Sequence, residues 1–204
     1  PLFEARWSVS GHPVYVGERF LLTLEVIGRE GSLAKKIRLD GLPPTNHLTC
    51  EPFADLPVEL KSIDDRMCEI RRFRAIAALN LPGPCPLRGT LHGTQIRRIQ
   101  HYFFTQREER PISVSPPELR LEAWALPLSN RPPEFTGAIG SGFAFSAQLA
   151  PTSPAVGDLI EVKMSVHSDS PLARLAPPVL PDDPEFKSYP LKADAASPDP
   201  ARPR

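Results

Sequence analysis

One strand pattern is written twice in this chain, 140 positions apart from Val16 to Val156, without a gap. Val16-Gly17-Glu18-Arg19-Phe20 leads into Leu21-Leu22-Thr23-Leu24-Glu25-Val26. Val156-Gly157-Asp158-Leu159-Ile160 leads into Glu161-Val162-Lys163-Met164-Ser165-Val166. In each copy a Gly-acid pair makes a turn, and apolar residues then alternate with polar ones. Phe20, Leu22, Leu24 and Val26 share one face; Ile160, Val162, Met164 and Val166 share its counterpart. Period two with one wet face is the mark of a half-buried antiparallel strand. A helix would spread four such residues around its axis. An apolar step ending in proline follows each strand, Leu42-Pro43-Pro44 and Leu180-Pro181. The repeat predicts two copies of one all-β module.

Proline agrees with this. It supplies 26 of 204 residues, roughly 13% against an average near 5%. Proline fixes φ and lacks an N–H, so it interrupts helices and collects at strand ends and turns. Further strands are expected at 36–39, 58–63, 88–92, 99–104 and 112–114. Such spacing, with frequent turns, predicts tandem immunoglobulin-like β-sandwich modules. The first module spans 1–116, a Pro-rich linker or edge segment spans 117–140, and the second module spans 141–204. Leu119-Arg120-Leu121-Glu122-Ala123-Trp124 fits an edge strand continuing the first module. The second module is short for a domain of about 100 residues, so it is expected to be partial, with a loose tail from Ala193. The chain opens at Pro1 and carries no leader or long apolar run, which fits an excised part of a longer protein.

The stretch 67–80 supports two readings. Ile70, Phe73, Ile76 and Ala77 stand at helical spacing, with Asp64 and Asp65 as N-caps and Asn80 as a stop. Phe73, Ala75, Ala77 and Leu79 instead share one face of a strand.

Composition narrows the chemistry. Lys+Arg and Asp+Glu are both 24, giving a net charge of zero. That is unlike a nucleic-acid binder, which carries a basic excess. Arg71, Arg72, Arg74, Arg88, Arg97 and Arg98 read as a solvated strand face. Cys50, Cys68 and Cys85 show no zinc spacing. They allow one bridge, Cys50–Cys68 or Cys68–Cys85, or three buried free thiols. His12, His47, His92, His101 and His167 stand apart from one another. Asp64-Asp65 and Asp182-Asp183 flank turn-forming residues, so they suit turns better than metals. No phosphate-loop, dinucleotide, zincin, nucleophile-elbow or EF-hand motif is present. No catalytic, cofactor or metal residue is therefore assigned. Phe135, Phe143 and Phe145 fall near the module junction, where they serve either to fill a hinge or to form a patch for a partner.

Arg131-Pro132-Pro133-Glu134-Phe135-Thr136-Gly137-Ala138-Ile139-Gly140 resembles a signature of BatD, the bacterial aerotolerance or oxygen tolerance family. The likeness continues through Phe143, Val156-Gly157-Asp158, Pro177-Pro178-Val179-Leu180 and Phe186-Lys187-Ser188-Tyr189-Pro190. Val16-Gly17-Glu18 and Pro111-Ile112-Ser113-Val114 also fit, and the family pattern favours a strand over 73–79. The cysteines and the stretch 45–69 lie outside the resemblance. It implies a periplasmic protein with a secreted leader, tandem immunoglobulin-like modules and a C-terminal anchor in the inner membrane. It also implies partners, namely von Willebrand factor A-domain proteins and TPR proteins, and no catalytic residues.

The expected function is a non-catalytic extracytoplasmic scaffold, with Arg131, Phe135, Phe143 and Phe145 as candidate partner-binding residues. A carbohydrate- or ligand-binding sandwich appended to an enzyme is the alternative. A hydrolase whose Ser, His and Asp meet only in space is a third reading.

Overall fold

The structure, a computed structural model, describes residues 3–11, 15–32, 37–100, 102–103, 105–133, 135, 137–169 and 183–192. Strands and no helices form their regular structure. The chain divides into two compact units, Pro1–Leu126 and Pro127–Pro198.

In the first unit the strands are β1 (Phe3–Val9), β2 (Arg19–Arg29), β3 (Arg38–Asp40), β4 (Leu48–Cys50), β5 (Ala54–Asp55), β6 (Glu59–Ile63), β7 (Arg66–Leu79), β8 (Gly83–Leu87), β9 (Thr90–Gln100), β10 (Thr105–Val114) and β11 (Leu119–Ala123). The second unit holds β12 (Ala144–Ala150) and β13 (Glu161–His167). Every ladder between them is antiparallel. The largest sheet runs β1-β2-β7-β4, with β5 and β6 also on β7. A second sheet runs β10-β9-β3, and β11 pairs with β8.

The alternation in β2 does what it predicts. Phe20, Leu22, Leu24 and Val26 are buried, beside Ala5 and Trp7 of β1. Cys85 and Leu87 of β8, Leu91 of β9, and Leu121 and Ala123 of β11 complete the same core. Removing each such aliphatic side chain from water contributes about 1.5–3 kcal/mol. Gly89 lets Trp7 and Leu39 close over it. A Cβ there would meet Leu39 Cδ1 at 3.0 Å and Trp7 Cζ2 at 3.2 Å.

The ambiguous stretch is strand β7, paired to β2 on one edge and to β4, β5 and β6 on the other. Ala75, Ala77 and Leu79 are buried on the face that lines the core, while Ile70 and Ile76 are buried on the opposite face. A strand buried on both faces loses its alternation, and the residue pattern then imitates helical spacing.

The arginines of β7 are not a solvated face. Arg71 is buried, with its Nη2 donating to Asp55 Oδ2 at 2.9 Å and its guanidinium 5.4 Å from the Phe73 ring centroid. Arg6, Glu25 and Arg72 stand in line across β1, β2 and β7. The Glu25 carboxylate is held between the Arg6 and Arg72 guanidiniums, and Arg72 also donates to Glu59 Oε2 at 2.6 Å. Carboxylates on this strand's neighbours therefore take up the charge that its sequence concentrates. Arg88 donates to Glu118 Oε2 at 2.6 Å. The side chains of Arg97 and Arg98 lie outside the described residues.

Four other expectations are altered or decided. The expected strands 88–92 and 112–114 are the roots of one long hairpin, β9–β10. The stretch 99–104 is no separate strand, because the chain turns between Gln100 and Thr105 and leaves Tyr102 and Phe103 fully exposed. No disulfide forms, and all three cysteines are free. Cys50 pairs with Ala77, nine residues along β7 from Cys68, or about 30 Å at strand rise. A bridge needs Cα atoms within about 7 Å. The expected strand at 36–39 begins at Arg38, residues 33–36 lying outside those described.

The two copies of the repeat fold alike. Gly17 and Gly157 both take positive φ, 86° and 96°, the region in which glycine avoids a Cβ penalty. Glu18 N–H donates to Tyr15 O at 3.1 Å, and Asp158 N–H to Ala155 O at 3.0 Å. In return the acid side chains accept the N–H groups of Tyr15, at 3.3 Å, and Ala155, at 2.8 Å. The ladders match too. Ala5 faces Val26, Trp7 faces Leu24 and Val9 faces Leu22. Shifted by 140 residues, the same positions are Phe145 facing Val166, Ala147 facing Met164 and Leu149 facing Val162. The repeat therefore covers a strand pair and its turn, with the register kept.

Candidate functional site

β12 and β13 form a two-stranded sheet. Phe145, Ala147 and Leu149 alternate with Ser146 and Gln148, so one face of β12 is apolar, and Val162, Met164 and Val166 extend that face across the ladder. In the first unit the equivalent positions build the core. In the second, those on β12 and Val162 meet solvent, while Met164 and Val166 are half-buried. Every residue of β12 is exposed, and Phe145 retains 62% of its surface. Val162 retains 36%, where its counterpart Leu22 retains 0%. The edges differ as well. β2 carries β7 on its far side, while β13 pairs only with β12 among the described residues. A lone strand pair is marginal in water, and an open edge is a template for another strand.

Of the four candidate residues, the structure joins two. The Arg131 guanidinium lies 5.4 Å from the Phe135 ring centroid, and its Nη2 donates to Pro127 O at 3.2 Å. Phe143 and Phe145 are exposed at the start of β12. No ring–ring contact links Phe135 to either of them among the described residues. Leu149, Val156 and Leu159 are exposed in the same unit, and so are Phe186 and Tyr189. Sequence reasoning passed over Leu149, although Phe145-Ala147-Leu149 alternates as plainly as β2 does. Residues 177–180 and Asp182, named above, lie outside the described residues.

Ser, His and Asp do meet in space. Ser113 Oγ lies 2.7 Å from His92 Nδ1, and His92 Nε2 lies 3.5 Å from Asp40 Oδ2. Asp40 also accepts from Arg38 Nη2 at 2.6 Å. The three sit on adjacent strands β10, β9 and β3. Ser113 is exposed and His92 and Asp40 are partly exposed on one sheet face, whereas the neighbours Leu91, Ile112 and Val114 turn to the other face and line a small cavity. That cavity measures about 20 Å³, far below the 300 Å³ or more of ligand pockets. A nucleophile needs a cleft and oxyanion donors beside it. These three side chains form a cross-strand polar row instead.

The Cys50 and Cys85 thiols are muted. Burial first, and then the Glu51 carboxylate, pushes Cys50 up to about 11. Burial also raises Cys85. A reactive thiol needs the opposite shift. Among the described residues no group of three or more His, Cys, Asp and Glu is placed to hold a metal.

No family model, no curated protein and no solved structure matches this chain.

Proposed function

We propose that the chain is a non-catalytic scaffold of BatD type, built from tandem immunoglobulin-like modules, the second one partial. In the full-length protein it would stand on the periplasmic side of the inner membrane, assembling with von Willebrand factor A-domain and TPR proteins. The strand orders of the first unit support the modular part. Immunoglobulin constant-type domains place their strands A-B-E-D in one sheet and C-F-G in the other. With β1, β2, β3, β4, β7, β9 and β10 as A to G, the orders β1-β2-β7-β4 and β3-β9-β10 follow that plan.

The observation that carries the binding reading is the open strand pair. β12 and β13 keep the register of a core-building pair, yet among the described residues β13 has no partner on its far edge, and Phe145, Leu149 and Val162 are exposed. A partner strand added to β13 would satisfy its backbone and cover Phe145, Leu149 and Val162.

A pull-down from detergent-solubilised membranes, with this chain as bait and with or without Mg²⁺, tests the proposal. The expected catch is a von Willebrand factor A-domain protein. Adjacent strand residues aim their N–H groups at opposite edges, so of Lys163→Pro and Met164→Pro one blocks the free edge directly. A catch that survives both substitutions contradicts edge pairing. Recovery of no such protein contradicts the scaffold reading.

A further inference from the structure

The β9–β10 hairpin leaves the body of its unit. Among the described side chains of β9 Gln95 is the last buried one, and β10 is exposed or half-buried along its length. Five more residues carry β9 to Gln100, about 17 Å at strand rise. Tyr102 and Phe103 lie beyond, at 103% and 98% exposure. His101 and Phe104 flank them in sequence. Scattered apolar residues on a surface are ordinary, but adjacent aromatics bare at the end of a hairpin are not.

The charges behind the tip are arranged. Arg98 is opposite Arg107 in the ladder, one step behind the closing pair Gln100 and Thr105. That step is two residues, about 7 Å. Like charges directly opposite destabilise a strand pair unless an anion offsets them. Arg107 pairs with Glu109 at 3.1 Å and Arg110 with Glu108 at 2.9 Å. Arg97 and Arg98 leave the hairpin 97–110 with two cations in excess of its acids.

We propose that this hairpin tip docks on an anionic lipid surface. Tyr102 and Phe103 enter the boundary between headgroups and acyl chains, and the net positive charge of the hairpin behind them draws it to the phosphates. The spacing fits. The polar layer of one leaflet is about 5–8 Å thick, comparable with the step from the closing pair Gln100 and Thr105, at the base of the turn, to the arginine pair. Aromatic side chains favour that boundary, and basic residues near it are drawn to anionic lipid. A protein partner for the same two rings would need a far larger surrounding surface, about 800 Å² per side.

Vesicle flotation of the whole chain tests this, using phosphatidylglycerol mixed with phosphatidylcholine and phosphatidylcholine alone. The chain should float with the anionic vesicles, and at least about tenfold less with the neutral ones. Tyr102→Ser with Phe103→Ser should abolish flotation and leave the melting temperature unchanged, since neither side chain is buried. Arg98→Gln with Arg107→Gln should remove the preference for anionic lipid. Failure of the unaltered chain to float on anionic vesicles overturns the proposal. So does flotation that survives loss of both aromatics, or a tip-dependent protein partner found without any vesicle binding.

Discussion

Glu25 and Arg72 meet across β2 and β7, Arg72 Nε donating to Glu25 Oε2 at 2.6 Å. The Glu25 side chain is almost wholly buried, while Arg72 keeps 31% exposure. Without cations beside it, a carboxylate so placed would lose hydration with nothing to replace it. Glu25→Ala leaves Arg72 short of its inner partner and should lower stability by about 2 kcal/mol in urea unfolding. Arg6→Ala removes a largely exposed guanidinium from the same carboxylate and should cost under about 1 kcal/mol. Equal losses from the two variants would contradict this account.

The repeat makes unequal partners of equivalent residues. Leu22 is fully buried, and its counterpart Val162 is not. Leu22→Ala should cost about 3 kcal/mol in the unfolding of the first unit. Val162→Ala should cost under about 1 kcal/mol. A large loss from Val162→Ala would mean that its face is already covered.

Cys50 should react slowly. Its thiol is held at about 11 against an ordinary 9.0, so at pH 8 its thiolate is about 100-fold scarcer than that of an ordinary thiol. Iodoacetamide labelling read by mass spectrometry should show Cys50 lagging an unstructured cysteine peptide by that order. A folded value raised above the unfolded one favours folding below pH 9, and the benefit is lost as pH rises toward 11. Labelling at the peptide's rate would contradict the burial.

Glu118 answers to acid. The Arg88 guanidinium, and then Arg120, hold its carboxyl below the ordinary 4.5. A lowered folded value gives a stabilisation that is present above 4.5 and lost as pH falls through the folded value. The stability gap between the unaltered chain and Glu118→Gln should therefore be small at pH 7 and shrink as pH falls below 4.5 through the folded value. A gap that widens in acid would contradict the pairing.

Ser113 should ignore a fluorophosphonate probe. Its contact with His92 lies on an exposed sheet face, with Asp40 tied to Arg38. Covalent labelling at Ser113 would reopen the hydrolase reading.

Much of this arrangement is legible in the residues, and the gaps have physical causes. Thr23, Glu25, Lys163 and Ser165 alternate with the apolar residues of β2 and β13, so those strands declare themselves. β7 hides because the sheet buries Ile76 on one face and Ala75 on the other. The hairpin tip misleads because Ile99, Tyr102, Phe103 and Phe104 have strand-like composition, whereas β9 ends at Gln100, which pairs with Thr105 across the turn that holds Tyr102 and Phe103. The extension of the repeat to β1 and β12 is silent in residue identity, where Trp7 corresponds to Ala147, and audible only in register. The exposure of Phe143 and Phe145 depends on what covers them, which alternation alone does not encode.

Amide hydrogen exchange, compared between β2 and β13, tests the open edge most directly. β2 is paired on both sides, so the account predicts slow exchange at consecutive amides from Phe20 to Val26. Among the described residues β13 is paired on one side, so alternate amides from Glu161 to His167 should exchange nearly as fast as in a free peptide. Uniform protection along β13 in the isolated chain would contradict the account, because the edge offered to a partner would already be occupied.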